Sequence, residues 1–159
     1  MSAPEILRVQ KYIERFGLGL KVMELDENTG TSELAAAALG VEVGQIAKTL
    51  LFLADGEPIM VVASGDVKIK SGRLKKLTGS SKVRMADPDT VNRITGYSVG
   101  GVCPVALPGK IRILLDDSMK RFPVVYAAAG TARSALPVDM EQIEIITGGE
   151  WVDLSGEVN

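Results

Sequence analysis

The chain has 159 residues, a formal net charge of −2 at pH 7, no histidine and a single cysteine. The missing histidine excludes Ser-His-Asp and Cys-His catalysis and removes the commonest metal ligand, and one cysteine cannot form an internal disulfide. A composition of 46% hydrophobic and 24% charged residues is typical of a globular domain that folds without a metal or disulfide. Without a charged-then-apolar leader or a run of about 18 apolar residues, we expect a cytoplasmic protein.

The first half of the chain predicts two helices and a β-hairpin. Apolar side chains recur at helical spacing near the N-terminus, and apolar runs flank the turn Asp55-Gly56-Glu57. The predicted elements are, in order, a helix over Pro4–Phe16, a short strand over Leu20–Leu25, a helix capped by Thr31 or Ser32 and ending at Gly40, and strands over Ile46–Ala54 and Pro58–Ala63.

The second half predicts short helices mixed with strands. Aspartate favours the first turn of a helix and proline its first position, so Asp87-Pro88-Asp89-Thr90 is a strong helix start. The alternation of elements, without repeats or long linkers, predicts one α/β (α+β) domain with a mixed sheet that could curl into a barrel. The predicted elements are a helix capped by Ser71 and ending near Gly79, a helix from Asp87 to Gly96, strands over Ile111–Leu115, Pro123–Ala128 and Ser134–Pro137, a segment over Asp139–Ile146 that could be helix or strand, and a closing strand over Trp151–Leu154.

Lys48 is the one charged residue in the apolar run Ile46–Leu53. Burying an ammonium group is costly unless the group is paired or its pKa falls, so a lysine at this place needs a reason. One reason is an edge strand, on which the lysine stem covers apolar surface and the charged head stays in water. The other is a functional site in which the ammonium group meets a ligand.

Seven of the 18 basic residues lie between Lys68 and Arg84, with no acidic residue among them. Such a segment can steer a polyanion even on an acidic protein, or it can be a solvated face that acids from elsewhere balance. The seven residues are Lys68, Lys70, Arg73, Lys75, Lys76, Lys82 and Arg84.

Paired glycines lead into a proline within the segment Gly96–Pro108. Gly100 and Gly101 permit close backbone approach, and their N–H groups could hold an anion or an oxyanion, although an ordinary turn has the same composition. Cys103 could be a nucleophile in this loop. Because no histidine is present to activate it, we expect a small filler instead.

Five segments stand in a specific order and spacing: Ile46–Leu50, Asp87–Asp89, Thr95–Pro104, Ala128–Gly130 and Asp139–Met140. Together they resemble the YbaK/prolyl-tRNA-synthetase editing-domain family, whose G-x-x-x-P loop is matched by Gly100–Pro104. The resemblance covers roughly residues 5 to 154, and we expect a single editing domain over residues 1–159.

The resemblance implies a freestanding trans-editing deacylase with the YbaK/ProRS-associated domain fold, a mixed, barrel-like β-sheet with flanking helices. Such proteins hydrolyse the ester between a wrong amino acid and the 3′-terminal adenosine of a tRNA, often tRNA(Pro). The implied partner is the acceptor end of an aminoacyl-tRNA, and an aminoacyl-tRNA synthetase is a second candidate. No cofactor, metal or membrane is implied.

The resemblance also implies roles for individual residues. An aminoacyl ester is already activated, so its hydrolysis needs positioning and charge stabilisation more than a strong base. The expected catalytic residues are Lys48, Gly100 and Gly101. The expected substrate-binding residues are Thr49, Ser98, Val102, Cys103, Pro104, Gly130 and Asp26, and the expected tRNA-binding residues are Lys68, Lys70, Arg73, Lys75 and Lys76.

Several positions depart from the cysteine-specific branch of the family. Its Ser-Ala-Gly stretch is Ala128-Ala129-Gly130 here, and Ala135 stands where that branch has a substrate-binding aspartate. A tyrosine or histidine usual near Met23–Asp26 is also missing. The reaction class survives these changes, whereas the amino acid removed stays open. Two alternatives remain: a non-catalytic module that binds a tRNA end or a synthetase, and a small-molecule esterase.

Overall fold

The computed structural model describes residues 2–156, which form five α-helices, two short 3-10 helices and eight strands. The helices are α1 Pro4–Glu14, α2 Ser32–Leu39, α3 Ser71–Thr78, α4 Pro88–Thr95 and α5 Met140–Thr147, and the 3-10 helices span Val43–Gln45 and Asp117–Arg121. The strands are β1 Met23–Glu24, β2 Ile46–Ala54, β3 Glu57–Ser64, β4 Val83–Met85, β5 Arg112–Asp116, β6 Val125–Ala127, β7 Ser134–Val138 and β8 Glu150–Val152. Over this range no helix is long and apolar enough to cross a membrane.

The helix ends follow mostly from capping residues visible in the sequence. The side chains of Thr31 and Asp87 each accept a hydrogen bond from the backbone N–H three residues further on. Asp139 forms a reciprocal capping box, which makes the ambiguous segment after it a helix, α5. The predicted Ser71 cap is wrong by one residue, because α3 begins at Ser71 and the residue before it, Lys70, makes no side-chain cap bond.

The sheet is mixed, as the sequence predicts. Its strand order is β1-β7-β6-β2-β3-β5-β8, and β4 pairs with the far end of β2. The hairpin of β2 and β3 turns through Asp55 and Gly56, whose positive φ angles of 49° and 85° match the twist of the paired strands. The pairings of β2 with β6, β3 with β5 and β5 with β8 are parallel. The strand predicted over Leu20–Leu25 shortens to β1, which pairs with the start of β7.

β2 is an interior strand, so the edge-strand interpretation of Lys48 is wrong. One side of β2 pairs with β3 along its length. On the other side, Ile46 and Ala47 pair with β6, and Phe52–Ala54 pair with β4. Within the described residues, no strand pairs with positions 48–50 on that side. β2 therefore borders an opening in the sheet halfway along its length.

The two larger of three apolar clusters among the described residues lie on opposite faces of the sheet. The alternation of β3 separates them, because Met60 and Val62 belong to the larger core and Ile59 and Val61 to the smaller one. Buried residues of α1 and α5 cover the larger core, and Leu74 of α3 packs into the smaller one. The sheet that contains the opening is thus covered by apolar side chains on both faces.

Asp116 ties the C-terminal segment to the end of β5. Its buried carboxylate accepts hydrogen bonds from the Ser118 N–H at 3.1 Å, the Leu154 N–H at 2.7 Å and the Ser155 hydroxyl at 2.7 Å. Three donors compensate the loss of hydration of this charge. Asp116 therefore has a structural role, which is to anchor the C-terminal segment to β5.

We expect Asp116→Asn to lower the free energy of unfolding by about 2–4 kcal/mol, because an amide cannot accept from all three donors and leaves buried N–H groups unpaired. Chemical denaturation followed by circular dichroism measures this loss. Asp117→Asn is the matched control, since that exposed carboxylate forms only an ion pair with Lys120 at 3.0 Å. Equal stability of the two variants would contradict the anchoring role.

Candidate active site

A cavity of about 420 Å³ lies beside the opening in the sheet. Its walls come from the loop before α2, from β2, from the first turn of α4, from the glycine loop and from the segments that include β6 and the start of β7. The size suits a small organic group. In the described part of the chain, no set of three or more Cys, Asp or Glu side chains is grouped to hold a metal ion. Four predicted site residues line the cavity: Lys48, Thr49, Gly100 and Val102.

Lys48 is half-buried at the opening, and its Nζ donates a hydrogen bond to the Val67 carbonyl oxygen. An ammonium group has three N–H donors, so two remain for a ligand. Burial lowers the pKa of Lys48 from the ordinary value of 10.5. The negative charges of three carboxylates partly oppose this shift, in decreasing order Asp66, Glu33 and Asp116.

Thr49 brings unpaired polar groups to the same opening. The Gly65 N–H donates to the Ile46 carbonyl oxygen, so the backbone N–H and C=O groups of even-numbered β2 residues point towards β3. The Ala86 N–H donates to the Leu51 carbonyl oxygen, so the backbone groups of odd-numbered β2 residues point to the other side. The Thr49 N–H and C=O have no strand partner there. The Thr49 hydroxyl is also buried without a hydrogen-bond partner among residues 2–156. Since buried polar groups are normally satisfied, this arrangement favours a ligand or water at the opening.

Gly100 lines the cavity in a left-handed conformation, with φ of 96°. A Cβ at this position would lie 3.4 Å from the Gly30 Cα. Gly101 does not line the cavity. Its N–H donates to the Ser98 carbonyl oxygen at 3.0 Å, and a Cβ on Gly101 would lie 2.7 Å from the Thr131 Cα. The expectation that both glycines offer N–H groups to a substrate is therefore corrected: Gly101 serves loop packing.

The other predicted substrate-binding residues do not line the cavity: Ser98, Cys103, Pro104, Gly130 and Asp26. Ser98 and Asp26 are exposed to solvent, whereas the remaining three are buried. Gly130 packs against α1, where a Cβ would lie 2.9 Å from the Glu5 Cβ. The structure therefore does not bring these five residues to the cavity, and their contact with a ligand stays a prediction.

Cys103 is fully buried in the larger core. Burial raises the pKa of its thiol to about 12, so the thiolate fraction at neutral pH is negligible. The filler interpretation is confirmed. Tyr97 is likewise a core residue, since its ring is buried and its hydroxyl donates to the Val105 carbonyl oxygen at 2.7 Å.

Several lining residues were not expected from the sequence. The loop Thr29–Ser32 forms one wall. An apolar rim includes Met85 and Val99, which are 54% and 62% exposed. The helix cap at Thr31 was the one feature of the sequence that could have pointed to this loop. Single exposed apolar residues on separate elements have no sequence signal, because neither periodicity nor spacing connects them.

Both alanines that replace polar residues of the cysteine-specific branch lie in the cavity wall. Ala128 follows β6, and Ala135 is in β7. Ala35 and Ala127 also line the cavity. Alanine methyl groups thus form part of the cavity wall that Lys48 and Thr49 also line.

The five predicted tRNA-binding residues are all exposed, namely Lys68, Lys70, Arg73, Lys75 and Lys76. Arg73 pairs with Asp153 at 2.9 Å, and the four lysines form no ion pair with the residues that the structure describes. α3, which carries three of the five, contacts β4, and β4 ends at Met85 on the cavity rim. A positively charged surface therefore adjoins the cavity.

The family described as aminoacyl-tRNA editing domain matches residues 26–145 of this chain. The chain is 36% identical over 135 residues to the uncharacterized protein YwhH of Bacillus subtilis, with 84% of this chain and 85% of YwhH covered. It is 40% identical over 90 residues to a proline–tRNA ligase of Nitratidesulfovibrio vulgaris, with 57% of this chain but 16% of the ligase covered. The chain thus corresponds to a small part of that enzyme.

A solved structure has the same fold. The crystal structure of a protein provisionally described as a trans-editing enzyme for prolyl-tRNA synthetase superposes with a TM-score of 0.91 at 35% identity, covering 99% of this chain and 100% of that chain. The mixed sheet with flanking helices is therefore confirmed as the fold that the YbaK resemblance implied. With the family match over most of its length, this chain belongs to the aminoacyl-tRNA editing domain family.

Proposed function

We propose that this protein is a trans-editing deacylase that hydrolyses the ester bond of a mischarged tRNA. The observation that carries the proposal is the cavity at the opening of the sheet, where the Lys48 ammonium group and the unpaired groups of Thr49 meet an apolar wall. Membership of the editing-domain family supports the reaction class. The similarity to a solved chain that is described as a trans-editing enzyme supports a domain over residues 1–159 that acts in trans.

The relatives support tRNA(Pro) or a related tRNA as the substrate. One relative is a proline–tRNA ligase, and the superposed structure is described through prolyl-tRNA synthetase. An editing activity acts on the errors of one synthetase, so the natural target is the tRNA that this synthetase charges. A synthetase is accordingly the second partner that we propose.

In the proposed reaction, water attacks the ester carbonyl carbon and the bond to the ribose oxygen breaks. The proton that water loses passes to the departing ribose oxygen, directly or through a neighbouring ribose hydroxyl. Lys48 places its two remaining N–H donors on the terminal phosphate or on the negative charge that develops at the carbonyl oxygen. The Thr49 peptide and the Gly100 backbone hold the ester in place.

The cavity wall favours a small apolar aminoacyl group. Ala128 and Ala135 offer no hydrogen bond to a hydroxyl or thiol, whereas an alanine side chain fits against their methyl groups. An apolar pocket rejects a hydroxyl-bearing analogue by only about 100-fold in kcat/KM. We therefore expect alanine to be preferred over serine by at most about 100-fold.

A non-catalytic module that binds a tRNA end or a synthetase is the second candidate. The same two alanines favour it, because the polar groups that they replace assist the substrate in the cysteine-specific branch. Binding of mischarged tRNA without release of the amino acid would distinguish this candidate from the deacylase.

We expect Lys48→Ala to lower kcat/KM for amino-acid release about 100- to 1,000-fold, because it removes the positive charge that faces the ester. The assay uses tRNA(Pro) charged in turn with Ala, Cys, Ser, Thr or Pro, and we expect the fastest release from Ala-tRNA(Pro). Lys110→Ala, at an exposed loop position, is the matched control and should react like the wild type.

The melting temperature of Lys48→Ala should stay within a few degrees of the wild type. A loss confined to kcat would assign Lys48 to the transition state, and a loss confined to KM would assign it to anchoring the RNA. Wild-type turnover by Lys48→Ala would remove the residue from the mechanism. No release from any of the five tRNAs by the wild-type protein would overturn the deacylase proposal.

We expect the double variant Lys75→Gln/Lys76→Gln to weaken tRNA binding and to reduce the slope of log Kd against log salt by about 1–2, because each lysine that meets a phosphate releases about one counterion. Fluorescence anisotropy with labelled tRNA(Pro) at several salt concentrations measures the slope. The matched control is Lys21→Gln/Lys110→Gln, which removes the same charge at exposed positions outside the basic segment. Equal slopes for the two double variants would contradict a specific role of α3.

A further inference from the structure

Arg121 and Asp66 form the least exposed of the four ion pairs among the described residues. The guanidinium Nη2 donates to Oδ1 at 2.7 Å, and Nη1 donates to Oδ2 at 3.1 Å. The two side chains are 33% and 36% exposed, against 42–55% in the other three pairs. A forked contact of this kind fixes both the position and the orientation of the carboxylate.

Arg121 is held in place by its own short helix. Its Nε donates to the Ser118 carbonyl oxygen at 2.8 Å, and its guanidinium carbon lies 4.9 Å from the centre of the Phe122 ring. The guanidinium group is therefore positioned before it meets Asp66. A lysine at 121 could not make these contacts together with a forked pair.

Asp66 lies next to the residue that holds Lys48. The turn after β3 contains Asp66 and Val67, and the Val67 carbonyl oxygen accepts the hydrogen bond from the Lys48 Nζ. Asp66 has the largest effect among the carboxylates that raise the pKa of Lys48. Nevertheless, no ion pair of 4.0 Å or less joins the two side chains.

The other two carboxylates that face Lys48 compete less. Asp116 is bonded to three donors at the end of β5, and Glu33 is exposed in the first turn of α2. The forked contact with Arg121 occupies both oxygens of Asp66. Asp66 is thus the carboxylate whose orientation decides whether Lys48 has an anionic partner from its own chain.

We propose that Arg121 is a positioning residue, which holds the Asp66 carboxylate away from Lys48 and keeps the ammonium group available to a ligand. Without Arg121, Asp66 would turn to Lys48, which is the other cation whose charge acts on its carboxylate. A direct pair would occupy N–H donors of Lys48 and cancel the charge that a phosphate or a carbonyl oxygen needs. The consequence for deacylation rests on the proposed function, whereas the consequence for Lys48 itself does not.

A mutant cycle tests the proposal with Arg121→Gln, Asp66→Asn and the double variant. The first readout is the pKa of Lys48, from an NMR titration of its Cε and Nζ resonances in labelled protein, assigned by their loss in Lys48→Arg. The second readout is kcat/KM for release of alanine from Ala-tRNA(Pro). Arg112→Gln is the matched control, because it breaks an exposed arginine–carboxylate pair, with Glu150 at 3.1 Å, on another part of the sheet.

We expect Arg121→Gln to raise the pKa of Lys48 by about 1 unit and to lower kcat/KM about tenfold, because Asp66 then pairs with Lys48. Asp66→Asn should shift the pKa in the opposite direction, since it removes a negative charge near the ammonium group. The double variant should recover most of the activity that Arg121→Gln loses. Arg112→Gln should leave both readouts unchanged.

A role of Arg121 in folding alone predicts a different pattern, in which the double variant is at least as impaired as Arg121→Gln. That pattern, or an unchanged or lowered Lys48 pKa in Arg121→Gln, would overturn the proposal. If the wild-type protein released no amino acid while the pKa rose in Arg121→Gln and fell in the double variant, the deacylase function would fail and the positioning role would stand. The two failures are thereby distinguishable.

Discussion

The interruption of strand pairing along β2 is the constraint on which the candidate site depends. An interior strand normally bonds on both sides. Here the pairing of β2 with β6 ends before Lys48, and its pairing with β4 begins only at Phe52. The residues between them keep their bonds to β3 and lose their partners on the other side. Lys48 and Thr49 are therefore carried by a strand that is anchored at both ends, which is a more rigid support than a loop.

The charge at this opening is held by a carbonyl group instead of a carboxylate. The Val67 oxygen accepts one N–H of Lys48, so the ammonium group is oriented without being neutralised. Arg121 engages the carboxylate of Asp66, which acts on the Lys48 charge more strongly than Glu33 or Asp116 does. Together with the exposed lysines of α3, this leaves positive charge inside the cavity and beside it. In the proposed function, both hold the RNA end that carries the ester.

Local signals in the sequence were enough to predict most elements and one central residue. The caps at Thr31 and Asp87, the glycine stops and the Asp55-Gly56 turn act within three or four residues, so they are visible without tertiary structure. Lys48 stood out for a similar reason, because a charge inside an apolar run contradicts the pattern around it. Where local signals were weak, at Leu20–Leu25 and Ser71, the predicted boundaries differed from those in the structure.

The sequence by itself thus determined the fold class, the family resemblance and Lys48 as the residue that needs a function. Only the tertiary structure decided that Lys48 lies on an interior strand, because the pairing partners of β2 come from distant segments of the chain. It also decided which side of the glycine loop meets the cavity. Gly100 and Val102 face it, whereas Gly101 packs against Thr131 and Cys103 enters the core. Spacing along the chain cannot distinguish these neighbours, since contacts with other loops set their directions.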